Sequence, residues 1–444
     1  MQTIAAISTP AGAGAIAIIR MSGDDALAIA ARLFSCSELG DFSQAEPRKM
    51  YLGTINAGEY ADRCLAVRFK APKTYTGEEI VEFHCHGGAR LAREVLAACV
   101  RCGARVADKG EFTKRAFLAG KLALSDAEAV IDMINAESGA ALKASYRMLT
   151  GALADEIKAF SDRLLDACAS LEASFDYPEE MEDESVFDAK GAVADALEHV
   201  EKLLATARTG AMVRDGIDVA IVGVANVGKS SLLNALCGRD RAIVTDIAGT
   251  TRDSLEERIE KDGVAINLID TAGIRDTDDE VEKMGVERSY RAAKSADVVL
   301  FVSDATRELC DEERRILKDI PDGAKVVTVL NKSDLPHSPR GGAVHVSAKT
   351  GEGIEALKAT IAALVTSGEV DASGNIITEE RHREALERAK TSLLSAKAAL
   401  DGAMPIECAA LDIKQAYSAL GEITGETADE AIVDRVFSKF CVGK

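Results

Sequence analysis

The chain has few features of a membrane or secreted protein. None of its apolar runs approaches the ~20 residues that a helix needs to span a bilayer. The first 20 residues lack a basic leader before their apolar stretch and include Pro10, which argues against a secretory signal. We therefore expect a soluble protein of the cytoplasm.

The cysteines of the chain form no recognisable framework. Only two of the ten, Cys99 and Cys102, lie close together in sequence, so the spacing indicates neither a set of disulfides nor a four-ligand zinc site. Histidines precede and follow Cys85, but neighbours on a strand point to opposite faces, which disfavours one metal ion held by all three. A reducing compartment fits this usage, and the role of the Cys99/Cys102 pair stays open.

Positive charge is also scarce. A formal net charge of −20 at pH 7 disfavours a broad nucleic-acid surface, because phosphate recognition needs clustered Lys and Arg. Residues 1–118 are the exception, with 15 Lys and Arg against 13 Asp and Glu. A polyanionic partner would have to meet a local patch.

The 444 residues exceed the roughly 250–300 that one hydrophobic core accommodates, so several domains are expected. Residues 1–118 mix short β-type runs with helical stretches, which predicts an α+β domain. Residues 119–212 are rich in Ala, Leu and Glu at helical spacing and are interrupted by an acidic stretch, 176–184, which we interpret as a loop.

The pattern changes over residues 213–372, where apolar strands alternate with helices in the way typical of a parallel doubly wound sheet. Residues 373–444 are helical again. The sequence therefore predicts a multidomain α/β protein, with a Ras-like G domain inserted into a discontinuous α-helical domain that follows the α+β N-terminal domain.

A phosphate-loop motif follows the first strand of the inserted domain. It reads Gly223-Val-Ala-Asn-Val-Gly-Lys-Ser230 and opens a helix, which is the context that the motif requires. Lys229 is expected to reach the β and γ phosphates, and Ser230 is expected to ligate Mg²⁺. The predicted contacts of this loop are Asn226, Val227, Gly228, Lys229, Ser230 and Ser231.

Three further motifs in the right order predict that the nucleotide is GTP. In Asn331-Lys-Ser-Asp334, the carboxylate of Asp334 can accept two hydrogen bonds from guanine, whereas adenine lacks that donor pair. Ser347-Ala-Lys349 would support the base from its other side. Switch contacts to the metal and the γ-phosphate are expected from Thr250-Thr-Arg-Asp253 and from Asp270-Thr-Ala-Gly273. The expected contacts of these motifs include Thr251, Asp270, Thr271, Ala272, Gly273, Asn331, Lys332, Asp334, Ser347, Ala348 and Lys349.

The usual water-orienting glutamine is absent, because Ile274 follows Gly273. Acids crowd the following segment at positions 276, 278, 279, 280 and 282, and spacing alone does not choose among them. Arg275 is a candidate arginine finger only by its proximity.

The whole chain resembles the MnmE (TrmE) family of bacterial tRNA-modification GTPases. The resemblance is carried outside the phosphate loop by Arg20-Met-Ser-Gly23, by the segments 75–82 and 110–117, and by Cys441-Val-Gly-Lys444. The segment 242–253 is similar to the potassium loop of the family. One departure is Ala225, where a proline usually precedes the asparagine, and it should alter the stiffness of the loop more than its chemistry.

The resemblance implies how hydrolysis is catalysed. A potassium ion replaces the arginine finger and maps to Asn226, Thr245, Ile247 and Thr250, while Mg²⁺ maps to Ser230 and Thr251. The water-orienting acid maps to Glu282. The nucleotide contacts of the switch loop extend over Thr245, Asp246, Ile247, Ala248, Gly249, Thr250 and Thr251.

The resemblance also implies an N-terminal domain that dimerises and binds a tetrahydrofolate derivative, 5-formyl- or methylene-tetrahydrofolate. The folate contacts map to Arg20, Glu82, Lys121 and Lys444, and Cys441 is a candidate for the modification chemistry. With a flavin-dependent partner, MnmG (GidA), in a heterotetramer or larger complex, the family adds an aminomethyl or carboxymethylaminomethyl group to C5 of the wobble uridine of certain tRNAs.

Two other functions compete at this point. A ribosome-assembly GTPase would be expected to carry an RNA-binding module with basic or glycine-rich loops, and the sequence has none. A regulatory GTPase switch would have no affinity for folate. The sequence does not indicate which tRNAs are modified, the final uridine product, or how closure of the G domain couples to the modification site.

Overall fold

The computed structural model describes residues 2–176, 178–238, 256–269, 294, 296–320, 324–337, 340–366, 374–403 and 405–444. The chain divides into two compact units, each built from separate stretches of sequence. One unit comprises Met1–Ile131, Met148–Val193 and Ser392–Lys444, and the other comprises Asp132–Arg147 and Ala194–Thr391.

The N-terminal part of the first unit is a seven-stranded sheet in the order β3-β4-β5-β6-β2-β1-β7. The pairs are antiparallel except for the parallel pair of β1 and β7. The strands are β1 (Ile4–Ile7), β2 (Ile16–Ser22), β3 (Phe34–Ser35), β4 (Met50–Asn56), β5 (Ala61–Phe69), β6 (Ile80–His86) and β7 (Arg105–Val106).

Helices α1 (Ala26–Leu33) and α2 (Ala89–Arg101) cover one face of this sheet. Alternate strand residues such as Ile19 and Phe83 point into the core, where they join Val95 of α2. Helix α3 (Glu111–Leu118) follows β7, and its Phe112 packs with Ile4 in a separate small cluster.

Long helices follow. They are α4 (Leu124–Asn135), α5 (Gly139–Leu149), α6 (Ala152–Asp176), α7 (Pro178–Asp215) and, near the C-terminus, α11 (Glu380–Ala398), α12 (Ile406–Thr424) and α13 (Glu430–Ser438). Helix α6 packs against α12, where the Cys168 thiol donates to Ala410 O at 3.5 Å. The prediction of an acidic loop over 176–184 is wrong, because α7 begins at Pro178. Proline is well suited to the first position of a helix, where its missing N–H would have no helical partner.

The second unit contains a six-stranded sheet in the order β13-β12-β11-β8-β10-β9. Its strands are β8 (Ile217–Val222), β9 (Glu256–Lys261), β10 (Val264–Ile269), β11 (Val298–Asp304), β12 (Lys325–Asn331) and β13 (Val344–His345). Helices α8 (Lys229–Cys237), α9 (Asp311–Asp319) and α10 (Ile354–Thr366) accompany it. Every residue of β11 is buried, as expected for a central parallel strand covered on both faces.

One strand departs from the parallel pattern. β9 pairs antiparallel with β10 because Asp262 and Gly263, with φ values of 53° and 79°, form a two-residue hairpin turn. The other strands confirm the doubly wound sheet, and the predicted fold class is confirmed: an α+β N-terminal domain, separate helical segments and a Ras-like domain. Within the described part of the chain, every helix is too short or too polar to cross a lipid bilayer.

Candidate functional site

The phosphate loop joins β8 to α8 with a backbone that few residues adopt. Asn226 and Gly228 have φ values of 62° and 94°, and a Cβ added at Gly228 would overlap the side chain of Asn331. Helix α8 starts at Lys229, whose Nζ donates to Gly223 O at 2.8 Å and to Val224 O at 2.9 Å. The ammonium group and the N-terminus of the helix together form an anion-binding corner.

Three side chains of this corner are accessible to a ligand. Asn226, Ser230 and Ser231 are exposed, whereas Val227 is buried beneath the loop. Hydroxyl and amide oxygens suit hard cations such as Mg²⁺ and K⁺. The chemistry of these side chains therefore fits the two ions expected from the sequence.

Asn331 connects the phosphate loop to the loop after β13, which contains Ser347 and Ala348. It lies at the end of β12 and is 3% exposed. Its Nδ2 donates to Val227 O at 2.9 Å, and its Oδ1 accepts from Ala348 N at 3.0 Å. One buried amide thus brings together loops that are separated by more than 100 residues of sequence.

The predicted base reader is held in a similar way. Ser347 Oγ donates to Asp334 Oδ1 at 2.7 Å, and Ser333 N donates to Val346 O at 3.1 Å. These bonds leave Asp334 Oδ2 as a further acceptor oxygen. The three motifs meet at the carboxyl ends of the parallel strands, the usual ligand edge of a doubly wound sheet.

Asp304 is a member of this site that the sequence did not single out. It ends β11, and its Oδ2 accepts from Lys332 Nζ at 2.6 Å, while Oδ1 accepts from Thr306 Oγ1 at 2.7 Å. Burial alone would raise the pKa of Asp304, but these hydrogen bonds outweigh it and hold the pKa at about 2. Asp304 therefore fixes Lys332, which has a φ of 65°. Its position at the end of the strand beside β12 was the available signal.

Several predicted residues lie outside the described part of the chain. They are Thr245, Asp246, Ile247, Ala248, Gly249, Thr250, Thr251, Asp270, Thr271, Ala272, Gly273 and Glu282, with Ile274 and Arg275 beside them. Of the expected Mg²⁺ and K⁺ ligands, Ser230 and Asn226 are thus the two that the structure describes. Lys349 follows Ala348 in the loop after β13.

A second cluster lies in the N-terminal sheet. Arg20 of β2 faces Glu82 of β6 in register, and Arg20 Nε donates to Glu82 Oε1 at 2.7 Å. His84 Nε2 lies 3.1 Å from the other oxygen, Glu82 Oε2, a contact that sequence spacing of two on a strand could have indicated. The guanidinium of Arg20 also lies 5.7 Å from the centre of the Phe112 ring.

The C-terminal segment joins this cluster. Phe112 N donates to Lys444 O at 3.1 Å, and Ser8 Oγ donates to Gly443 O at 3.2 Å. Gly443 has a φ of 100°, and an added Cβ would overlap Ile7 O. Phe112 therefore contacts both the backbone of Lys444 and the guanidinium of Arg20, which in turn is paired with Glu82.

The two remaining predicted residues, Lys121 and Cys441, have other contacts. Lys121 Nζ donates to Pro72 O at 2.8 Å, in the loop that precedes β6. Gly110 N donates to Cys441 O at 3.3 Å, and Cys441 itself is exposed.

The cysteines and histidines that stood out in the sequence of the N-terminal domain, at positions 84–86 and 99, have structural surroundings. Burial raises the pKa of Cys99 to about 12, so this thiol is protonated at neutral pH. His86 Nδ1 contacts Asp62 Oδ1 at 2.6 Å, and Cys85 is buried. Among the described residues, no group of His, Cys, Asp and Glu is arranged as a metal site.

Comparison with known proteins gives matches over the whole chain. The family model described as "MnmE helical domain" matches residues 124–441, and that described as "GTP-binding protein TrmE N-terminus" matches residues 3–121. The chain is 44% identical to the tRNA modification GTPase MnmE of Symbiobacterium thermophilum and 41% identical to that of Acetivibrio thermocellus. Both alignments cover 100% of this chain and 99% of the relative.

Solved structures give shorter matches. The G domain of the T. maritima FeoB iron transporter is 30% identical and covers 33% of this chain and 96% of that chain, with a TM-score of 0.24.

Proposed function

Since this chain belongs to the MnmE family of tRNA modification GTPases, we propose that it uses potassium-stimulated GTP hydrolysis to drive modification of the wobble uridine of certain tRNAs. As a member of this family, the chain is a GTP-binding enzyme that hydrolyses GTP and takes part in tRNA modification. Family membership favours this function over the ribosome-assembly and regulatory alternatives.

The main structural support for the proposed nucleotide site is the pair of hydrogen bonds by which Asn331 joins Val227 to Ala348. It supports a site in which residues 226–231 hold the phosphates and Asp334 reads the base. The side of the proposed site that contacts the base is completed by Lys332, Ser347, Ala348 and Lys349. The side that contacts the phosphates is completed by Thr245 to Thr251 and Asp270 to Gly273.

In the proposed reaction, Ser230 and Thr251 hold Mg²⁺, and Asn226, Thr245, Ile247 and Thr250 hold K⁺. The two cations would supply positive charge beside the phosphates. Lys229 binds the β and γ phosphates, and Glu282 accepts a hydrogen bond from the attacking water and so orients it. The exposed amide of Asn226 supports the assignment of the K⁺ ligand.

The cluster around Phe112 supports folate binding. A reduced folate has a pterin with donor edges and an anionic glutamate tail, so Glu82 suits the pterin and the basic residues suit the tail. Arg20, Glu82, Lys121 and Lys444 are the proposed contacts, and Cys441 is exposed beside them. The ligand would be 5-formyl- or methylene-tetrahydrofolate, which supplies the one-carbon unit.

The proposed assembly follows from the family. The chain would form a homodimer through its N-terminal domain and join the flavin-dependent MnmG (GidA) protein in a heterotetramer or larger complex in the cytoplasm. The proposed domains are residues 1–118, 119–212, 213–372 and 373–444.

Hydrolysis rates in KCl and NaCl test the cation assignment. We expect GTP turnover to be about tenfold or more faster in KCl, because a fixed cation stabilises charge that develops in the transition state. Asn226→Gly keeps the left-handed backbone and should abolish the preference, whereas Ala225→Gly should retain it. Equal rates of the wild type in both salts would contradict the proposal.

Calorimetric titration with 5-formyl-tetrahydrofolate tests the folate site. We expect binding to the wild type and to Arg32→Ala, an exposed control on α1, and weaker binding to Arg20→Ala. Absence of binding to the wild type would contradict the assignment of the N-terminal domain.

A further inference from the structure

The first turn of helix α5 is capped by the β9–β10 hairpin. Ser138 precedes the helix, and its Oγ accepts from Ala141 N at 3.1 Å. The two earlier donors of the turn bind the hairpin: Gly139 N donates to Glu260 Oε1 at 3.1 Å, and Ala140 N donates to Gly263 O at 2.9 Å. The N–H groups of a first helical turn have no partner within the helix, so the hairpin satisfies two of them.

The carboxylate of Glu260 adds an electrostatic contribution. A negative charge at a helix N-terminus is favourable because the peptide dipoles place partial positive charge there. An ion pair between Arg258 of β9 and Glu137 lies alongside. Segment 132–147 accordingly belongs to the same compact unit as the Ras-like sheet.

The hairpin occupies a particular position in the sequence of the G domain. β9 directly follows the segment 239–255, which holds the predicted Thr251, and β10 directly precedes the segment 270–293, which holds Asp270 and Glu282. In GTPases the switch segments rearrange when the γ-phosphate is bound or lost. A change in both segments would act on β9, which contains Glu260, and on β10, which begins directly after Gly263.

We propose that Glu260 is a positioning residue that transmits the nucleotide state of the G domain to helix α5 by capping or releasing its first turn. The proposal rests on the proposed assignment of the two switch segments. It supplies a physical link between GTP hydrolysis and a helical segment that begins outside the nucleotide fold. A cap that only fastens the hairpin would remain the same in both nucleotide states.

Hydrogen exchange of the α5 amides in the full-length protein, with GDP and with a non-hydrolysable GTP analogue, tests the proposal. We expect the exchange rates of residues 139–142 to differ between the two states by about fivefold or more, the lower end of typical coupling between sites. Glu260→Gln should reduce this difference. Its matched control is Asp262→Asn, which removes the same charge in the adjacent turn.

A second pair of variants changes Gly139, whose N–H group donates to Glu260. Gly139→Pro removes the N–H group at the first helical position, where proline is tolerated, and should also reduce the difference at residues 140–142. Gly139→Ala keeps the N–H, and its Cβ would meet its nearest neighbours at 3.7 and 3.9 Å, which is ordinary contact. It should behave as wild type.

Exchange of the phosphate loop in the same samples separates two failures. If nucleotide protects the phosphate loop but the exchange rates of α5 are the same in both nucleotide states, the coupling is refuted and the nucleotide site stands. The same conclusion follows if Glu260→Gln and Gly139→Pro keep the full difference in exchange. If nucleotide does not protect the loop, the assignment of the site fails and the coupling fails with it.

Discussion

Replacement of Asn331 by alanine tests whether one buried amide holds the nucleotide site together. The change removes the donor to Val227 O and the acceptor for Ala348 N. A buried polar group left without its partner costs about 1–3 kcal/mol. At the lower end of that range, two such groups cost about 2 kcal/mol, or about 30-fold in an equilibrium constant.

We expect this cost to be divided between the stability of the fold and the affinity for nucleotide. Both unpaired groups belong to loops that would contact the ligand, so Asn331→Ala should lower the Tm and also weaken GDP binding. Thermal unfolding with and without GDP, together with titration of a fluorescent GDP analogue, measures the two parts.

Asn234→Ala is the matched control, since Asn234 is exposed on α8 and alanine favours a helix. It should leave the Tm and the Kd for GDP nearly unchanged. If Asn331→Ala also retained both values, the bridge would not hold the site, and our account of it would be refuted.

Three further predictions concern other parts of the chain. The pKa of Asp304 is lowered to about 2, so this carboxylate should contribute stability above its ordinary pKa of about 4 that is lost as the pH falls towards 2. Asp304→Asn should flatten the acid limb of a plot of Tm against pH, and an unchanged limb would contradict this. Glu282→Ala should slow GTP turnover roughly 100-fold or more with little change in nucleotide affinity, and a large loss of GTP binding would exclude a role limited to the water. Gly443→Ala should release the C-terminal segment and weaken the binding of 5-formyl-tetrahydrofolate. Gly120→Ala, also at positive φ but with no atom within 4 Å of the added Cβ, should not weaken it. Equal affinities of the wild type and Gly443→Ala would refute the role of the segment.

The sequence predicts the strands of the Ras-like sheet well because they are buried. An apolar run such as β11 has few alternatives to a central strand, and the motif residues follow directly at the ends of such strands. The meeting of Asn331 with Val227 could be expected on the same grounds, because parallel strands bring their carboxyl ends to one edge.

The remaining features depend on contacts that local patterns do not encode. The charge of the acidic stretch 176–184 suggested a loop. A proline is nevertheless compatible with the first position of a helix, and α7 begins at Pro178. The contact between Gly139 and Glu260 joins residues 121 positions apart, and neither residue has a distinctive neighbourhood in the sequence. The antiparallel turn at Asp262 and Gly263 could have been predicted from the Asp-Gly pair.

The contact between Ser8 and Gly443 spans 435 positions, which has a consequence for synthesis. A ribosome makes the chain from its N-terminus, so β1 and β2 leave the exit tunnel long before their C-terminal partners exist. At about 5–20 residues per second, tens of seconds separate the two events. The N-terminal sheet can fold early, but the surroundings of Phe112 are completed only when residues 441–444 arrive. A chain interrupted after β7 but before residue 441 could therefore carry a folded sheet while the surroundings of Phe112 remained incomplete.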